Sequence, residues 1–117
     1  MAILRIVANI GTADVAGLRQ FYQMLFDLDV VMDLGWIVTL SSGASMAVQL
    51  SLASEGGSGA AVPDLSIEVD DIDAVYGRAK AQEIPIVYHL TDEPWGVRRF
   101  FLRDPSGKLL NVLSHRI

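Results

Sequence analysis

Phe100-Phe101-Leu102-Arg103-Asp104-Pro105-Ser106-Gly107-Lys108-Leu109-Leu110-Asn111-Val112 decides how this chain is read. An apolar run ends at Arg103, four turn-forming residues follow, and a second apolar run begins at Leu109. Pro105 presets φ and Gly107 can take a positive φ, so the segment predicts a hairpin whose second strand covers Lys108–Ser114. An earlier stretch has the same outline: a turn at Ser41-Ser42-Gly43, then a strand over Ser45–Ser51.

Each hairpin closes a longer pattern of strand, helix and three strands. Asp14 precedes apolar Val15, Leu18, Tyr22 and Leu25; Asp71 precedes Ile72, Val75, Ala79 and the less apolar Gln82. Asp is a good N-cap because its carboxylate accepts an orphan backbone N–H, and the apolar spacing gives one buried helical face. A strand comes before each helix, Leu4–Ile10 and Asp64–Val69. The chain is expected to form one domain, residues 1–117. A first module covers 2–52 and a second 63–117. They are joined by 53–62, whose Gly and Ser content reads as a flexible linker.

Composition narrows the function. A chain of 117 residues suits a single core, and 51% hydrophobic residues exclude disorder. The net charge of −5 without basic clusters disfavours nucleic acid and suits a cationic or neutral ligand. With no cysteine there is no thiol catalysis, disulfide or Cys-ligated zinc. No apolar run can span a bilayer, no membrane partner is expected, and Arg5 interrupts any signal-peptide pattern, so a cytoplasmic location is expected.

Strand alternation assigns faces. Leu4, Ile6, Ala8 and Ile10 form the helix side of the first strand, leaving Arg5, Val7 and Asn9. Met46, Val48 and Leu50 leave Ala47, Gln49 and Ser51. Leu65, Ile67 and Val69 leave Asp64, Ser66 and Glu68. Leu110 and Val112 leave Leu109, Asn111 and Leu113. These second faces either line a shared concavity or simply meet solvent, as one-sided antiparallel sheets often do.

The motifs resemble those of the glyoxalase/bleomycin-resistance/extradiol-dioxygenase superfamily, also called the vicinal oxygen chelate superfamily. Asp14-Val15-Ala16-Gly17-Leu18-Arg19-Gln20-Phe21-Tyr22 resembles its first helix. Ile67-Glu68-Val69-Asp70-Asp71-Ile72-Asp73 resembles the approach to its second. The hairpin around Asp104-Pro105-Ser106-Gly107 resembles its closing motif. The resemblance implies an α+β fold in which two βαβββ modules form a curved mixed sheet around a cavity. Members with metal chemistry usually carry His, Glu or Gln ligands at positions that fall here on Val7, Gln49, Asp64 and Asn111. Val7 cannot ligate, and Asn111 stands where the motif has Glu. One carboxylate and weak amides are a poor set for a divalent cation, so no metal or other cofactor is expected.

Other residues have two readings each. His89, Asp64 and Glu68 are the candidates for acid–base work, Asp64 and Glu68 as a carboxylate pair on one face; a His at a strand end is more often bonded to solvent or backbone, and the favoured reading of Glu68 is a solvated rim charge. His115 has no evident partner. Asp70, Asp71 and Asp73 fit a helix N-terminus without invoking calcium. In Asp92-Glu93-Pro94-Trp95-Gly96-Val97-Arg98-Arg99-Phe100, Trp95 lies on a loop and suits ligand contact. Arg98 and Arg99 must point to opposite faces, so one of them can pair with Asp64, Glu68 or a ligand anion. Trp36 suits the core or a dimer contact. The expected ligand-contact set is Val7, Asn9, Gln49, Asp64, Ser66, Trp95, Arg99 and Asn111.

The resemblance implies a homodimer, and a mean hydropathy of +0.37 agrees with apolar surface covered by a partner. The leading expectation is metal-free binding of a small molecule, cationic or aromatic, as in bleomycin-resistance proteins. The alternatives are a metal-dependent lyase, isomerase or dioxygenase and a metal-free enzyme of the same fold.

Overall fold

The computed structural model describes residues 2–26, 28–42 and 49–116. Its elements run β1 (Ile3–Gly11), α1 (Val15–Phe26), β2 (Asp29–Asp33), β3 (Ile37–Ser41), β4 (Gln49–Ala53), then β5 (Leu65–Val69), α2 (Ile72–Ala81), β6 (Ile86–Asp92), β7 (Val97–Arg103) and β8 (Leu109–His115). The protein is therefore a mixed α+β fold with the βαβββ order written twice. Gly43, Ser45, Met46, Ala47 and Val48, on which part of the first hairpin reading rests, lie outside the described residues.

The chain divides into two compact units, Val7–Val62 and Met1–Ile6 with Pro63–Ile117. In the first, the strands lie in the order β2-β3-β4-β1, with β1 parallel to β4 and the other pairs antiparallel. Buried Val38, Leu40 and Leu52 pack with Ile10, Val15, Leu18 and Tyr22. In the second, the order is β5-β8-β7-β6, with β5 parallel to β8. Val69, Ile72, Ala79, Phe100 and Val112 form its core, joined by Val75 and Tyr76.

Both helices start as the sequence predicts. The Asp14 carboxylate accepts Gly17 N–H at 2.9 Å, and the Asp71 carboxylate accepts Ala74 N–H at 3.1 Å. Each removes one of the unpaired donors of a helix N-terminus. The α1 face is narrower than expected. Leu25 is 60% exposed, because the first core receives Val15, Leu18 and Tyr22 but stops one turn short of it. Leu4 and Ile6, expected to pack beneath a helix, are also exposed. Only Ile10 of that β1 set reaches a core.

Loops carry more order than their composition suggests. The β7–β8 turn is closed by Gly107 N–H to Asp104 O at 2.9 Å with Gly107 at φ +87°. The Asp104 carboxylate accepts Ser106 N–H at 2.8 Å and Lys108 N–H at 3.0 Å. Residues 53–62 form a bonded turn, with Gly56 N–H donating to Ala60 O at 2.7 Å. A Cβ at Gly56 would lie 2.0 Å from Ala61 O, so only glycine fits this close approach. Among the described residues, no helix is long and apolar enough to cross a membrane.

Candidate functional site

Pairing in the second unit brings one row of side chains together. Asn111 on β8 lies opposite Ser66 on β5 and Phe101 on β7, and Phe101 lies opposite Tyr88 on β6. The next row places Leu113 opposite Glu68 and Arg99. Alternation therefore puts Ser66, Glu68, Asn111, Phe101 and Arg99 on the sheet face away from α2, as Phe100 and Val112 enter the core beneath it.

Arg99 is the centre of this face. It is 3% exposed, and its guanidinium meets Glu93 Oε2 through Nη2 at 2.6 Å and Nε at 2.7 Å. The Tyr88 hydroxyl donates to the same oxygen at 2.9 Å. The guanidinium carbon sits 5.0 Å from the Tyr88 ring centroid, 5.0 Å from Trp95 and 4.8 Å from Phe101. Three aromatic quadrupoles and one carboxylate thus hold the buried cation. The Trp95 loop is closed by Glu93 N–H to Val97 O at 2.7 Å, with Gly96 at φ +88°.

Asn111 is the odd member. Its residue is 8% exposed, and Nδ2 donates to Ser66 Oγ at 3.1 Å. Its Oδ1 is buried and accepts no hydrogen bond from the described residues. A buried acceptor without a donor costs about 1–3 kcal/mol, so a native instance calls for an explanation.

Several expectations change here. Arg99 is the arginine on this face, but it pairs with Glu93 rather than with Asp64 or Glu68. Arg98 turns the other way, to Asp73 and Asp92, each at 3.0 Å. Asp64 precedes β5 rather than opening it, and its carboxylate accepts Leu109 N–H at 2.8 Å. Glu68 is not a solvated rim charge. It binds Arg5 Nε at 2.5 Å and His115 Nδ1 at 2.8 Å, with its side chain only 14% exposed. Asp64 and Glu68 thus have separate partners and are not bonded to each other. His115, read as partnerless, has Glu68. His89 bonds through Nδ1 to the hydroxyl of Tyr76 on α2, at 3.3 Å.

Glu93 and Tyr88 were not singled out from the sequence. Simple alternation sets Tyr88 with Ile86 and Leu90. Register shifts on either side of Tyr88 turn it to the Phe101 ring instead, 5.1 Å between centroids, while Ile86 and Leu90 stay with the core. No sequence signal announces those bulges. Glu93 was legible only as a residue near Trp95.

The other expected contact residues belong to the first unit. Val7 is buried. Asn9 pairs with Ser51 and Gln49 with Ser41. In the same row as Asn9, Thr39 and Ser51 share a buried hydroxyl bond of 2.7 Å.

Of the positions where the resemblance places metal ligands, Val7 has no donor atom, Gln49 and Asn111 offer neutral amides, and one Asp64 carboxylate oxygen accepts a backbone N–H, so in neither unit do these residues alone make a donor set suited to a divalent cation. Among the described residues, no group of three or more His, Asp or Glu stands together in an arrangement that could hold a metal.

A family model described as a glyoxalase-like domain matches residues 3–115. No curated protein matches the sequence. Among solved structures, the chain is similar to one described as an NAD-dependent benzaldehyde dehydrogenase from Legionella pneumophila, with a TM-score of 0.77 at 18% identity, covering 96% of this chain and 100% of that one. It is also similar to a glyoxalase/bleomycin resistance protein/dioxygenase superfamily member from Vibrio splendidus 12B01, at 0.67 and 20%, covering 97% and 99%. A methylmalonyl-CoA epimerase from Streptomyces coelicolor matches at 0.72 and 16%, covering 99% and 100%. At such identities the likeness concerns the fold, and the differing activities in these names leave the chemistry open. With its βαβββ order written twice and the family model matched almost from end to end, the chain belongs to the glyoxalase-like domain family.

Proposed function

We propose that this protein binds a small organic ligand, without a metal, on the second unit's sheet face around Asn111. The observation that carries the reading is the buried Asn111 Oδ1 with no donor among the described residues. A ligand N–H or O–H would satisfy it and recover the cost of its desolvation. Buried Phe101 lies opposite Asn111 and half-buried Tyr88 opposite Phe101, while the Arg99 guanidinium, held by Glu93, ties Tyr88 to half-buried Trp95. A flat apolar or aromatic molecule with one hydrogen-bond donor fits this chemistry. Protonated amines fit best, because the chain is acidic overall.

Self-association belongs to the same reading. Helix α1 exposes Phe21, Met24, Leu25 and Phe26, and a second copy of the chain is the partner we propose for them.

The test is a titration with a panel of small aromatic amines, read by tryptophan emission and calorimetry. Wild type should bind at least one, and Asn111→Leu should lose that affinity while keeping its thermal transition. Equal binding by both proteins would place the ligand elsewhere.

A further inference from the structure

A second polar cluster lies on the same face and takes no part in the ligand reading. Glu68 is bound by Arg5 Nε at 2.5 Å and by His115 Nδ1 at 2.8 Å. The His115 side chain is 48% exposed, and among the described residues its ring is bonded through Nδ1 alone. Burial would push the Glu68 carboxyl up, but hydrogen bonds from His115 and Arg5 and their positive charge hold it below the usual glutamate range. An ionised carboxylate only accepts, so in the neutral imidazole the Nδ1 facing it carries the proton. Nε2 is then the basic atom, and it carries no bond to a described residue on a half-exposed side chain.

We propose that His115 is a metal-free general base, oriented by Glu68, that activates water against a small ester. Exposure decides between the reactions open to such a base. Proton abstraction from carbon needs a site that excludes water, whereas this imidazole stands in contact with it. Nε2 takes a proton from water as the oxygen adds to the ester carbonyl. The tetrahedral adduct then collapses, the C–O bond to the leaving group breaks, and the imidazolium returns its proton to that oxygen. Water is the only co-reactant. Glu68 is a positioning residue, and Arg5 keeps it charged and in place. Asn111 and His115 share the face of β8 and stand about 13 Å apart along the strand. The proposal does not depend on ligand binding at Asn111.

The sequence holds only two histidines, so each can be removed in turn. The first experiment is hydrolysis of 4-nitrophenyl acetate by wild type, His115→Gln, Glu68→Gln and His89→Gln. Loss of His115 should lower the protein-catalysed rate about tenfold or more, Glu68→Gln should remove most of it, and His89→Gln should leave it unchanged. The second is the nitrogen NMR spectrum of the imidazoles at alkaline pH. Wild-type His115 should carry its proton on Nδ1, and Glu68→Gln should shift it toward Nε2. An unchanged rate in His115→Gln, a stable acetyl group on His115, or an Nε2–H tautomer in wild type would each overturn the proposal. The NMR reading stands even if a variant folds poorly, because wild type alone decides it. Aromatic amines that fail to bind would sink the Asn111 reading and leave this one intact.

Discussion

Arg99 and Glu93 meet at 2.6 Å with both side chains only 3% exposed. The pair sits in the β6–β7 hairpin, and the guanidinium is flanked by Tyr88, Trp95 and Phe101. Two charges removed from water cost several kcal/mol each, and their mutual attraction offsets this only where geometry and hydrogen bonds are good. Here one Glu93 oxygen accepts from Arg99 Nε and from the Tyr88 hydroxyl.

Breaking that pair from one side should be costly. Arg99→Met leaves Glu93 buried without its cation, and about 3–5 kcal/mol of unfolding free energy should be lost. Adding Glu93→Gln removes the orphan charge but keeps an oxygen for Tyr88, so most of the loss should return. Urea denaturation of the two variants checks this. Equal stability of single and double variants would mean that Glu93 is not stranded.

Asn111→Leu separates stability from binding. It removes a buried acceptor that is unsatisfied among the described residues, together with the bond to Ser66. The two effects oppose each other, so stability should stay within about 1 kcal/mol of wild type. A drop of several kcal/mol in thermal or chemical denaturation would show that the amide is structural.

The Glu68 carboxyl gives the fold an acid-sensitive contact. Its folded pKa lies below the ordinary value. Its contribution is therefore fully present above the unfolded glutamate pKa of about 4.3, and it fades as pH falls through the lower folded value. Wild type should be more stable than Glu68→Gln at neutral pH, with the gap closing toward acid. Melting temperatures of both proteins across that range give the answer, and a gap independent of pH contradicts the linkage.

Helix α1 should govern self-association. Met24 and Leu25 are exposed large apolar residues next to Phe21 and Phe26. Wild type is expected to sediment as a dimer, and a Met24→Glu/Leu25→Glu variant as a folded monomer. A monomeric wild type at high concentration removes the α1 interface.

The sequence alone determined the local pattern. Asp14 and Asp71 cap helices because a short carboxylate reaches the third backbone N–H whatever the surroundings, and Asp104–Gly107 turns because its φ preferences are intrinsic. Alternation set Ser66, Glu68 and Asn111 on the second faces of their strands, as period 2 holds wherever a strand is regular, and put Arg98 and Arg99 on opposite faces without saying which one joins them. What only the tertiary structure decided is which groups meet across distant segments. Bulges beside Tyr88 reversed its side, Glu93 met Arg99 across a hairpin, and His115 found Glu68 from β5. The uncovered ends of α1 and β1 were also set there, since a helical apolar stripe says what can be buried and not how far a core extends. Charge pairing and coverage depend on geometry between elements, which composition and spacing do not encode.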